Sequence, residues 1–149
     1  MRISLVISSL SCGGSERSLS TLASYWAEKG WQVTLITLDD GTRPPFFQPH
    51  PRVEWHPLGI DAIYGGRFRT LGRNSQRFRF LCRAIRASRP DVIVSLVGKT
   101  SVVTLLATLW YPVPVIISDR VSPVHWPIGG IWWRSLRRAL YPRAACLVL

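Results

Sequence analysis

A doubly wound, parallel α/β sheet of the Rossmann-like kind is the fold this sequence predicts. Two observations predict it: short apolar runs alternate with helix-length stretches along the whole chain, and those runs are apolar at nearly every position rather than at every second one. A strand with alternating polar and apolar residues keeps one face wet. A strand apolar throughout is covered on both faces, as helices packed on either side of a sheet require. The chain has 149 residues, 47% of them hydrophobic, which is one domain's length with enough apolar material for a core. That composition excludes disorder.

The elements follow in order. Residues 3–9 (ISLVISS) form a β-branched run read as a buried strand. Residues 11–15 make a Gly-Gly turn that opens into a helical pattern over 16–29, where Leu19, Leu22, Ala23 and Trp26 recur at helical spacing and Gly30 supplies the stop. Residues 32–38 (QVTLITL) are a second strand, closed by Asp39-Asp40-Gly41. A Pro-rich loop leads to a short strand at 53–56, and 60–72 is irregular and basic. Residues 74–88 read as a helix that must halt before Pro90, because a proline pushes the residue before it out of the helical region. Strands at 91–97 and 113–118 flank a helix at 100–110. A further helix at 131–140 precedes the start of another strand at 145–149.

Charge narrows the partners. Nineteen Lys and Arg face eight Asp and Glu, and all but Lys29 and Lys99 of the nineteen are Arg. Arginine favours planar, bidentate contact with phosphate or carboxylate, so the partner is rich in anions: nucleic acid, an anionic membrane or a phosphorylated ligand. Seven Trp suit a membrane interface, and they equally suit single-stranded nucleic acid. No helix-turn-helix or RNP-type motif is present and the aromatics are not interleaved with Arg on a strand platform, so no nucleic-acid partner is expected. A basic peripheral membrane or nucleic-acid-binding α/β module without catalysis stays as the competing reading. The start of the chain up to Cys12 is too broken by serines for a lipoprotein signal, and the apolar run near 100–111 is too short to cross a bilayer. Cys12, Cys82 and Cys146 are widely spaced with no metal-ligand pattern, and read as reduced thiols. His50, His56 and His125 read as surface or packing residues, leaving no catalytic triad and no metal site.

In such a sheet ligands gather at the carboxyl ends of the strands. Three segments belong there. Gly13-Gly14-Ser15-Glu16-Arg17 lets backbone approach a ligand and points free helix amides at an anion, although two glycines can equally serve the turn alone. Gly98-Lys99-Thr100-Ser101 places a basic residue at the site mouth, but the first glycine of a phosphate loop is missing from the strand before it, which argues against a nucleoside triphosphate site. Ser118-Asp119-Arg120 offers a carboxylate and a guanidinium to a substrate, unless the two simply pair with each other.

These segments, in this order, resemble the family-4 retaining glycosyltransferases. The likeness is carried by Gly13 to Arg17 with Leu22-Ala23 and Gly30-Trp31-Gln32-Val33, by residues 89–94 (RPDVIV) and by residues 115–119 (VIISD). It covers essentially the whole chain. Within that family the stretch before Pro90 and residues 133–142 (WRSLRRALYP) are most similar to bacterial N-acetylgalactosaminyltransferases that extend polyprenyl-diphosphate-linked glycans. The resemblance implies one half of a GT-B architecture: residues 1–149 as the N-terminal, acceptor-binding domain, with a C-terminal donor-binding domain outside this chain. It implies a nucleotide-sugar donor, often UDP-linked, transfer with retention, and no metal or other cofactor. Gly13 and Gly14 then sit near the donor diphosphate, while Glu16, Arg17, Lys99, Asp119 and Arg120 serve the acceptor. Relatives commonly carry His where this chain has Arg120.

Two surfaces complete the expectation. At about 100° per residue, Phe78, Leu81, Cys82 and Ile85 share one side of the helix before Pro90, with Arg77, Arg79, Arg83 and Arg86 fanned across the other and Arg73 just upstream. No acid lies between Asp61 and Asp91 to offset them. A solvated face is the plain reading. The resemblance implies a grip on the acceptor's lipid diphosphate. Trp126, Trp132 and Trp133 with Arg134, Arg137 and Arg138 form a candidate membrane patch, of which one Trp is expected in the core. The implied location is the cytoplasmic face of the cell membrane, held peripherally.

Overall fold

The computed structural model describes residues 1–60, 71–119 and 131–148, the side chains of 71–74 excepted. Six strands form one parallel sheet: β1 (Arg2–Ile7), β2 (Gln32–Thr37), β3 (Glu54–Pro57), β4 (Val92–Leu96), β5 (Val115–Ser118) and β6 (Cys146–Val148). The helices are α1 (Gly14–Glu28), α2 (Leu71–Ala87), α3 (Gly98–Ala107) and α4 (Ile131–Leu140), the last followed by a 3₁₀ turn at Tyr141–Arg143. The strand order is β3-β2-β1-β4-β5-β6, so the chain winds outward from β1 in one direction, returns, and winds out in the other. The reversal lies between β1 and β4, with Ile3 opposite Val92 and Val6 opposite Ser95.

The apolar strands explain the two cores. One side chain set of the sheet (Ile3, Leu5, Ile7, Val33, Leu35) packs with Leu19, Ala23 and Ala27 of α1. The other (Val6, Ile36, Ile93, Ile117) packs with Leu81 and Ile85 of α2, Val102 and Leu105 of α3, and Leu140 of α4. Both faces are therefore covered, which is what strands without alternation foretell. Leu5, Ile7, Leu35, Ile36, Leu81 and Ile85 are among the largest fully buried side chains. Removing the side chain of one of these to alanine costs about 2–5 kcal/mol.

Several boundaries differ from the sequence reading for local reasons. α2 begins at Leu71, a turn earlier than expected, and takes in Gly72. In a first turn the amides have no intrahelical partner, so glycine there weakens the helix less than it would inside. α3 begins at Gly98 and ends at Ala107, short of residue 110. Thr108 folds its hydroxyl back onto the Thr104 and Leu105 carbonyls, 3.1 Å each, which competes with helical continuation. The helix at residues 131–140 stands where the sequence put it.

Candidate functional site

The crevice of a doubly wound sheet opens outside the carboxyl ends of the strands where their order reverses. Here β1 and β4 flank the reversal, so the loop into α1 and the turn into α3 share that end of the sheet. Gly13 is the N-cap of α1 in an extended conformation (φ −158°, ψ 162°), and its carbonyl accepts the Arg17 amide at 3.0 Å. The two glycines then part company. Glu16 folds its carboxylate back over Gly13 so closely that a β-carbon on Gly13 would run into it. A β-carbon on Gly14 would meet nothing within 4 Å. A side chain at Gly13 is therefore admitted once the Glu16 carboxylate swings aside, and Gly14 has open space at the mouth of the site.

Across the reversal, Val97 is the N-cap of α3 at φ 72°, ψ 125°, in the half of backbone space that a β-branched residue avoids. Its carbonyl accepts the Ser101 amide at 3.0 Å and the Ser101 hydroxyl at 3.2 Å. Thr100 and Ser101 are buried, which removes them from the surface of the candidate site. Lys99 is half-buried, with Nζ 5.9 Å from the centre of the Trp133 ring. No pattern in the sequence marks the strain at Val97.

Asp119 closes β5 and is buried. Its Oδ2 accepts from Arg137 Nη2 of α4 at 2.9 Å and from the Tyr141 hydroxyl at 2.8 Å. Burial, with the adjoining Asp119 carboxylate, pushes the Tyr141 hydroxyl well above the ordinary phenol range, so it stays a donor at physiological pH. The Arg137 guanidinium also lies 4.6 Å from the centre of the Tyr141 ring. This three-way contact pins α4 and the 3₁₀ turn to the end of the sheet. Breaking it by Asp119→Ala should lower unfolding stability by about 3 kcal/mol, because Arg137 is left partly buried without its partner. Tyr141→Phe should cost only about 1 kcal/mol. Urea denaturation of both variants checks this; equal small losses would mean the contact is incidental.

The basic helix divides. Arg79, Arg83 and Arg86 are exposed and lie within about 60° of one another around α2, a single stripe, with Phe80 exposed beside it. Arg77 is half-buried at the flank of the apolar side, so it falls outside that stripe. Leu81 and Ile85 are buried as the helical spacing requires, with Phe78 and Cys82 packed against the same core. Arg73 belongs to α2, but its side chain lies outside the described residues, as do Arg120, His125 and Trp126 altogether. On α4, Ile131 (81% exposed) and Trp132 (74% exposed) stand in the open near exposed Arg134 and Arg138. Trp133 instead packs against the core. Arg137 is turned inward to Asp119, which removes it from the expected membrane patch.

One residue escaped sequence reasoning. Asp39 at the end of β2 was legible only as turn chemistry, yet its Oδ1 is buried without a hydrogen-bond partner, one strand away from the reversal. Among the described residues no group of His, Cys, Asp or Glu is arranged to hold a metal ion, and no helix is long and apolar enough to cross a membrane.

Residues 13–149 match the family model described as the glycosyl transferase 4-like domain. The chain belongs to that family. Among curated proteins the chain is 30% identical over 146 residues to a Campylobacter jejuni enzyme, GalNAc-α-(1→4)-GalNAc-α-(1→3)-diNAcBac-PP-undecaprenol α-1,4-N-acetyl-D-galactosaminyltransferase, covering 95% of this chain and 38% of that one. Among solved structures it is similar to sucrose-phosphate synthase from Thermosynechococcus elongatus (TM-score 0.68, 14% identity, 97% of this chain and 41% of that one). It is also similar to MurG from Acinetobacter baumannii (TM-score 0.63, 13% identity, 99% and 41%). Anabaena HepE in complex with UDP gives a TM-score of 0.58 at 19% identity, covering 99% and 37%. These structural likenesses carry the fold. The chain spans about two fifths of the length of the relatives it matches.

Proposed function

We propose that this glycosyl transferase 4-like domain is the acceptor-side half of a retaining transferase that moves a sugar from a nucleotide sugar, UDP-linked in the simplest case, to a polyprenyl-diphosphate-linked glycan. A second, donor-binding half completes the cleft, and the enzyme works peripherally on the cytoplasmic face of an anionic membrane. The observation that carries this reading is the exposed Arg79-Arg83-Arg86 stripe, which has no acidic partner among the described residues. It occurs in a chain related over 95% of its length to a transferase named for an undecaprenyl-PP-linked glycan. Arginine pairs bidentately with a diphosphate, and Phe80 beside the stripe suits a helix lying against lipid. In this arrangement Gly14 lies open to the donor diphosphate, Arg17 and Lys99 stand toward the acceptor, Asp119 holds α4 against the sheet rather than meeting the substrate, and Trp132 with Arg134 anchors α4 in the headgroup layer. No metal or other cofactor takes part.

Three binding measurements test it side by side: a polyprenyl-diphosphate sugar, phosphatidylglycerol vesicles and a single-stranded oligonucleotide. The lipid diphosphate should bind tightest. Vesicle binding should fall several-fold in Trp132→Ala, since that ring is exposed and contributes little to the fold. Oligonucleotide binding as tight as the lipid diphosphate would favour a non-catalytic basic module instead.

A further inference from the structure

The outer face of α1 carries a groove of about 620 Å³ that no step above uses. One wall is α1 itself, from Arg17 to Glu28; the other is the loop at residues 46–48, after β2. The helical wall is about 16 Å long at 1.5 Å per residue. Its lining is mixed in a particular way. Tyr25 is 53% exposed and Phe46 63% exposed, and Phe47 meets Phe46 edge-to-face at 4.9 Å between ring centres. Between these rings run the hydroxyl side chains of Ser20, Thr21 and Ser24. Arg17 stands at one end and Glu28 at the other, neither with an ion-pair partner among the described residues.

The groove is held open by the fold. The Phe46 amide donates to the Leu10 carbonyl at 2.9 Å, which fastens the loop to the segment leaving β1. The His50 amide donates to Ser24 Oγ at 2.9 Å, which fastens its far end to α1, and Gln48 Nε2 donates to the Pro45 carbonyl at 3.1 Å within it. A wall fixed before binding spares the ordering entropy that a floppy loop would lose. Ser20, 4% exposed, is a second sign: its Oγ is buried with no hydrogen-bond partner, although it lines this groove. Buried hydroxyls are nearly always paired, so an orphan at a groove floor marks a place where a further polar group belongs.

Exposed aromatic rings, a row of hydroxyls and a cation and an anion at the ends suit a ligand with apolar C–H faces and many hydroxyls. The geometry points to an oligosaccharide-binding subsite along the outer face of α1, running from the Gly13-Gly14 loop toward Glu28 and separate from the α2 stripe on the opposite face of the sheet. Arg17 belongs to both places, being in the first turn of α1 and at the head of the groove. The choice of a glycan over another hydroxyl-rich ligand rests on the glycosyltransferase reading above. Occupancy of the groove by a free sugar does not.

The test is a titration of the isotopically labelled chain with a free N-acetylhexosamine trisaccharide, followed by amide NMR. Shifts should concentrate at residues 17–28 and 46–48, and the dissociation constant should rise at least fivefold in Tyr25→Ala and in Phe46→Ala. Both rings are more than half exposed, so an unchanged spectrum away from the groove shows that the variants fold. No shifts, shifts confined to the Gly13-Gly14 loop, or equal affinity in the variants overturns the subsite. A parallel turnover assay of the full-length transferase separates the two claims: trisaccharide binding at the groove without sugar transfer overturns the transferase reading and keeps the subsite, whereas transfer without groove shifts does the reverse.

Discussion

Gly14→Val is expected to cut sugar transfer by about a hundredfold in the full-length transferase while leaving the fold intact. The expectation follows from the different surroundings of two adjacent glycines. At Gly13 a side chain pushes the Glu16 carboxylate aside, so a substitution there also moves a second candidate site residue. At Gly14 a β-carbon meets nothing, so valine is accommodated by the protein itself. Valine is a slightly better helix former than glycine, so the first turn of α1 loses no helix propensity. What it does occupy is the space through which a diphosphate would approach the free amides of the helix start. A displacement of about 1 Å in a reacting group can cost a hundredfold in rate. The check is kinetic and structural together: kcat/KM for the nucleotide sugar, and the urea midpoint of the same variant. Unchanged donor kinetics in a folded variant would show that Gly14 serves only the turn.

The sheet was legible because burial on both faces leaves a mark on its central strands: residues 3–7 and 92–96 are almost uninterrupted apolar runs, whereas the edge strands β3 and β6 are largely exposed. The helices were legible where one side is apolar, as in α2, whose Phe78, Leu81, Cys82 and Ile85 repeat at helical spacing and pack on the core. α3 was harder to bound because it is buried nearly all round, and a helix without a wet side has no periodicity to end. The site was half legible. Glycines before a helix advertise themselves, but the partners of Asp119 lie on α4 and beyond it, and no local pattern announces a contact across eighteen residues. Arg137 was misread for the same reason: its neighbours in sequence are exposed arginines, and only the tertiary contact turns it inward. The orphaned hydroxyl of Ser20 and the strain at Val97 are equally silent in the sequence, since both depend on what the fold does around an ordinary residue.

Charge reversal of Arg79, Arg83 and Arg86 to Glu should weaken binding of a polyprenyl-diphosphate-linked acceptor about a hundredfold, and leave binding of the same glycan without diphosphate nearly unchanged. The three side chains share one exposed stripe of α2, so a single diphosphate or two neighbouring phosphates can meet them together. No Glu or Asp lies between Asp61 and Asp91 to pair with them along the helix, so like charges repel until an external anion arrives. At about 1 kcal/mol for each basic residue near anionic lipid, three residues supply about 3 kcal/mol. At 1.4 kcal/mol per decade this is roughly a hundredfold in the dissociation constant. The fold should survive, because the buried side of α2 is made of Leu81 and Ile85, which the substitutions do not touch. Arg77→Glu is a useful contrast: half-buried at the flank, it should disturb stability more and diphosphate selectivity less. Affinity for the two acceptors, measured across salt concentrations, decides the matter. A true phosphate contact loses its salt dependence along with its arginines, because fewer screened charges remain to be brought together. Equal loss for both acceptors would make the stripe a general solubilising face, and no loss for either would place the lipid diphosphate elsewhere on the molecule.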